Sequence, residues 1–91
     1  MPINEMWLEI DGEHTAKALQ EVLDKMDRTA GEVVLDFSSV RRVDTGALRA
    51  MAKLAAAAGG KAVKVVLRGV NVDIYKALKL VKLAPRFSFQ P

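Results

Sequence analysis

The sequence has no cysteine and a single histidine, His14. Without a thiol, no disulfide framework or thiolate metal site can form, and a reducing, cytoplasmic setting is the expectation. A Cys-His pair is excluded outright, and a lone histidine gives a Ser-His-Asp arrangement no support. His14 stands in "DGEHTA", where a strand gives way to a helix, and it has no second His or Cys with which to share a metal. It therefore reads as a solvated or capping residue. Phosphate-binding loops are missing as well, since neither G-x-G-x-x-G nor G-x-x-x-x-G-K-[ST] occurs. Asp36 and Asp44 are an acidic pair with no motif beside them to supply further oxygen ligands for magnesium. No catalytic residue, metal or cofactor is assigned, and the protein is expected not to be an enzyme. No run approaches 18 apolar residues, and no basic region leads into an apolar one at the N-terminus, so neither a membrane-inserting helix nor a signal peptide is expected.

What remains is a chain of 91 residues, 51% apolar, which suits one domain over residues 1–91 with a core of its own. The net charge of +3 is unevenly placed. Residues 1–60 carry seven Lys/Arg against ten Asp/Glu, whereas residues 61–91 carry seven against Asp73 alone. A basic third of this kind suits nucleic acid or an anionic membrane surface. Lys76, Lys79 and Lys82, however, stand at steps of three without aromatic residues between them for base stacking. They read as the solvated outer face of a helix, and no nucleic-acid partner is expected.

Hydrophobic spacing gives the architecture. "EMWLEI" at 5–10 alternates, with Met6, Leu8 and Ile10 on one side and Trp7 and Glu9 on the other, which predicts a strand. Ala16, Leu19, Leu23 and Met26 recur at helical spacing over 14–28, closed by Gly31. "EVVLDF" at 32–37 predicts a second strand and residues 46–58 a second helix, ended by Gly59-Gly60. "AVKVVL" at 62–67 follows as a third strand, then a helix over 71–83 stopped by Pro85, and a short strand in "RFSF". This alternation implies right-handed crossovers and a parallel or mixed sheet. Glu9, Asp36, Lys64 and Arg68 would all fall on one side of that sheet. The helices are therefore expected mainly on the other face, with the strands in sequential order.

The informative stretch is "VRRVDTGALRAMAKLAAAAGG", residues 40–60. Thr45 before an alanine-rich helix has the character of an N-cap, and Asp44 that of a favourable charge at the positive end of the helix dipole. The same position suits a working site. The loop leaves the carboxyl end of a strand, where open parallel sheets place their sites, and a helix N-terminus accommodates phosphate. These two readings are compatible.

"VVLDFSSVRRVDTGAL", then a helix, a glycine break and "KVVLRGV", resemble the STAS domain of anti-sigma-factor antagonists over roughly residues 5 to 90. In that family an apolar strand ends in Asp-Leu-Ser, and Asp-Ser/Thr-Ser/Ala-Gly-Leu opens the next helix. Leu35, Asp36, Phe37 and Ser38 match the strand end, and Asp44, Thr45 and Leu48 match the helix start. Gly46-Ala47 inverts the family order. The resemblance implies a right-handed β-α superhelix with helices mainly on one face. It implies that Thr45 is phosphorylated by a serine/threonine kinase that is also an anti-sigma factor, in a bacterial switch regulating transcription. It further implies a partner surface at 41–49, comprising Arg41, Arg42, Asp44, Thr45, Gly46 and Arg49. STAS domains also serve unphosphorylated, as constitutive subunits of lipid-transport ABC systems, where a similar Asp-Thr pair contacts the ATPase subunit.

A final expectation is a homodimer through the sheet face that the helices leave open. Trp7 would share that face with Val34 and Val66, rimmed by charges of both signs. The competing arrangement packs Trp7 beneath the C-terminal "RFSF" of its own chain.

Overall fold

The structure, a computed structural model, describes residues 5–25, 31–61 and 63–90. Met26 and the rest of the first expected helix beyond Lys25, together with Ala62, lie outside the described residues. The strands are β1 (Glu5–Glu9), β2 (Glu32–Asp36), β3 (Lys64–Arg68) and β4 (Ser88–Gln90). Between them run α1 (Thr15–Lys25), α2 (Thr45–Lys61), α3 (Val72–Leu80) and a 3₁₀ turn at Ala84–Arg86. The sheet order is β1-β2-β3-β4 and every pairing is parallel. Right-handed crossovers in sequential order bring all the helices to one face, as the charge pattern implied.

The core lies between that face and the helices. Val33, Leu35, Val65 and Leu67 point into it from the two central strands, against Leu19, Met51, Leu54, Ile74 and Leu78. Alanine is the best helix former and its short side chain lets a helix approach closely. Ala47, Ala50, Ala55 and Ala58 accordingly form much of the buried side of α2.

Two helix ends differ from the sequence reading. Gly59 and Gly60 do not terminate α2, which continues to Lys61; the positive-φ glycines are Gly31 and Gly69. The alanine run carries the helix through both glycines, and the Val63 N–H closes it on the Ala58 carbonyl at 3.0 Å. Helix α3 stops at Leu80, before Pro85 can act. Lys82 takes a left-handed φ of 62°, Leu83 N–H reaches the Leu78 carbonyl at 2.8 Å, and Lys82 N–H reaches Lys79 at 3.1 Å. These two bonds form a Schellman motif, built here without glycine.

The open face also needs correction. Trp7, Val34, Val66 and Ser88 stand in one row across the four strands. Trp7 is 51% exposed, but Val34 and Val66 are each only 1% exposed. Arg68, on β3, holds its guanidinium 5.2 Å from the Trp7 ring centre. Neighbouring strands lie about 4.8 Å apart, so this side chain must cross over β2 to reach β1. The small valines are shielded beneath these larger side chains within one chain, and only Trp7 of the expected dimer patch is presented. Trp7 also does not pack under "RFSF", because β4 is the opposite edge of the sheet.

Two glycines should respond in opposite senses. A Cβ at Gly59 meets nothing within 4 Å, so Gly59→Ala is expected to raise unfolding stability by about 0.5–1 kcal/mol through helix propensity. At Gly12 a Cβ would fall 2.0 Å from the Ser39 carbonyl oxygen. Gly12→Ala is therefore expected to cost about 1–3 kcal/mol by overpacking. Urea unfolding of the two variants beside wild type reads both signs.

Candidate functional site

Three βα loops meet at the carboxyl end of the sheet, and the one between β2 and α2 is held from several directions. Asp36, at the end of β2, accepts from both the backbone N–H of Ser38, at 2.8 Å, and its hydroxyl. These two bonds, with a smaller contribution from Arg68, hold the Asp36 carboxyl below its usual value. Val40 N–H then turns back to the Phe37 carbonyl at 2.9 Å, and the buried Val40 and half-buried Val43 fasten the loop to the core.

The neighbouring loops complete the clamp. Gly12 places its backbone directly against the Ser39 carbonyl, and Gly69, at φ +70°, lies against Ser38. Asn71 does two things at once. Its side-chain oxygen accepts from Ile74 N–H at 2.8 Å and caps α3, while its amide nitrogen donates to the Arg41 carbonyl at 2.9 Å.

Past this clamp the chain enters α2. The cap is Asp44, not Thr45: Ala47 N–H donates to the Asp44 carboxylate at 2.8 Å, and Leu48 N–H to its carbonyl at 2.9 Å. A carboxylate accepts here and adds charge complementary to the helix dipole, so it suits the position at least as well as a hydroxyl. Thr45 becomes the first helical residue, exposed, with its hydroxyl outside the capping arrangement.

Arg41, Arg42, Asp44, Thr45, Gly46 and Arg49 are all exposed, while Ala47 and Ala50 turn inward. Thr45 and Arg49 are one helical step of four apart and share a face. His14 Nδ1 lies 3.1 Å from the Asp11 carboxylate, while Arg41, Arg42 and Arg49 form no salt bridge with another described residue. The Asp11 pairing also gives His14 its place, exposed in the turn that starts α1. Arg41 and Arg42 border an open cleft of about 500 Å³ whose other wall is Asp11, Gly12 and Glu13.

Asp36 and Asp44 each serve the local backbone, accepting from Ser38 N–H and Ala47 N–H respectively. Among the described residues no cluster of three or more His, Asp or Glu could hold a metal ion. The arrangement presents an exposed hydroxyl and exposed arginines on one rim. Sequence reasoning missed Asn71, Gly12 and Gly69. Asn71 before an apolar helical stripe was readable as a cap, but nothing in the spacing marked its bond to a loop thirty residues earlier.

Comparison with known proteins agrees with this fold. A search of curated proteins finds no match to the sequence. The chain superposes on a sulfate transporter family protein from Wolinella succinogenes with a TM-score of 0.77 and 23% identity, covering 98% of this chain and 79% of that one. It also superposes on a proposed anti-sigma factor antagonist from Thermotoga maritima with a TM-score of 0.63 and 20% identity, covering 98% and 74%. At such identities the likeness concerns the fold. The family assignment comes from a sequence model described as "Mlab, STAS domain", which matches residues 2–85 and so takes in every strand but β4, all three helices and the Asp44-Thr45 helix start. The chain belongs to the STAS domain family.

Proposed function

We propose that this STAS domain is a non-enzymatic docking module whose partner surface is the rim formed by Arg41, Arg42, Asp44, Thr45, Gly46 and Arg49. We further propose that its partner is a serine/threonine kinase with anti-sigma activity, which phosphorylates Thr45 and is released as a result. The observation that carries this reading is the division of labour at the start of α2. Asp44 supplies the cap, so the neighbouring hydroxyl is free of structural duty and open to another protein. The bare backbone of Gly46 lies on the same exposed turn and allows close approach.

The electrostatics favour a switch. Arg41, Arg42 and Arg49 are exposed within the same short stretch as Thr45, a basic surface suited to an acidic partner. Transfer of a phosphoryl group from ATP to the Thr45 oxygen, with loss of its proton, adds about −1.5 to −2 charges. That charge, together with Asp44, offsets the arginine surface, so an acidic partner loses most of its electrostatic attraction. The fold itself tolerates the phosphate, because a helix N-terminus favours negative charge.

A second reading uses the same rim without phosphate. The "Mlab" description of the family model favours it, since the Asp-Thr pair also resembles that of STAS subunits in lipid-transport ABC systems. In that case the rim holds an ATPase subunit constitutively.

The structural half of this proposal predicts that Asp44→Ala lowers stability by about 1 kcal/mol through loss of the cap, while Thr45→Ala stays within about 0.5 kcal/mol of wild type. Thermal unfolding of both variants checks it, and a larger loss for Thr45→Ala would return the threonine to a capping role. The functional half predicts that, after incubation with the cognate kinase and ATP, mass spectrometry finds one phosphate, on Thr45. Thr45→Ala should bind the kinase without accepting phosphate, and Thr45→Asp should bind at least tenfold more weakly. Phosphate elsewhere, or none, with binding retained by the Asp variant, selects the constitutive subunit.

A further inference from the structure

The outward side of α3 is built differently from an ordinary solvated helix. Four of the five large apolar side chains that the described residues expose lie on α3 and its C-cap, with Val72 66% and Leu80 84% exposed. Lys76 and Lys79 stand between those two on the same side of the helix, and Lys82 and Arg86 follow, all exposed. Lys79 holds its ammonium 5.9 Å above the Tyr75 ring centre, so its stem runs along an aromatic surface. Beside it opens a cleft of about 500 Å³ with Lys79 and Lys82 at its edge and Tyr75, Ala84, Pro85 and Phe89 along its walls. Asp73, in the first turn, is the only acidic residue of this helix.

We propose that this face is a peripheral docking surface for an anionic lipid bilayer. Charge complementarity carries the choice of occupant. A second copy of the chain would set lysine against lysine, so self-association through α3 is opposed. A peptide would need a continuous groove, whereas Val72 and Leu80 protrude. Protruding aliphatic side chains ringed by long-stemmed cations suit the boundary between lipid headgroups and acyl chains: the apolar tips enter and the ammonium groups stay with the phosphates. The cleft beside Tyr75 continues the same pattern, with cations at the mouth and an apolar interior.

Flotation with vesicles of pure phosphatidylcholine, or of phosphatidylcholine with one-third phosphatidylglycerol, tests this on the intact chain. Binding is expected only to the anionic vesicles, weakening as salt is raised. Lys76→Ser and Lys79→Ser should each weaken it about fivefold, and Leu80→Ser should weaken it further, each variant keeping the wild-type melting temperature within a few degrees. Thr45→Ala should bind vesicles as wild type does. No binding to anionic vesicles, or binding indifferent to the two lysines, overturns the proposal. So does equally tight binding to polyglutamate with Leu80→Ser without effect, which would assign the face to acidic protein partners.

Discussion

The Asn71 side chain holds two helix beginnings in register. One end of its amide caps α3 and the other grips the Arg41 carbonyl in the loop that leads into α2. A loop leaving the end of a parallel strand would otherwise be fixed only by its own short turns. Here Asp36 gathers Ser38 from inside the loop, Gly12 and Gly69 let the adjoining backbones come up against it, and Val40 is sunk in the core. The side chains from Arg41 to Arg49 therefore project from a backbone whose course is already set. A preset contact surface loses less freedom on binding than a mobile one, which favours affinity without added area.

Much of the fold was legible because its signals are local. Val33 and Leu35 alternating with Val34 and Asp36 gave β2 one apolar and one half-polar side, and Glu9, Lys64 and Arg68 on the same side as Asp36 placed the helices on the other face. The family likeness of the Asp44-Thr45 helix start singled out the loop between β2 and α2, whose residues Arg41, Arg42, Asp44 and Thr45 the structure leaves exposed. What escaped the sequence depended on geometry between distant residues. No spacing rule says that Lys82 will adopt a left-handed φ and close α3 before Pro85, or that Gly59 and Gly60 will be absorbed into a helix propagated by alanines. The open face misled for the same reason. Alternation correctly put Trp7, Val34 and Val66 on one side, but it could not show Arg68 reaching across β2 to cover the valines.

The reassignment of the cap changes what Thr45 means. A threonine that caps a helix ties any change in its side chain to the stability of that helix. With Asp44 in that role, the start of α2 does not depend on the Thr45 hydroxyl, so the cap and the proposed docking residue can vary separately. Arg41, Arg42 and Arg49 are exposed, and the described core does not require their charge.

The Arg68–Trp7 pairing also equips the molecule with an optical label. Trp7 is the only tryptophan in the sequence, so its indole emission comes from one known place. It sits on an edge strand, partly screened by a guanidinium, on the side of the sheet away from the helices. Its fluorescence reports whether β1 is still zipped to β2 and whether the arginine still crosses the sheet. Because α2 and its threonine belong to the other side, that emission follows the integrity of the scaffold separately from events at the rim.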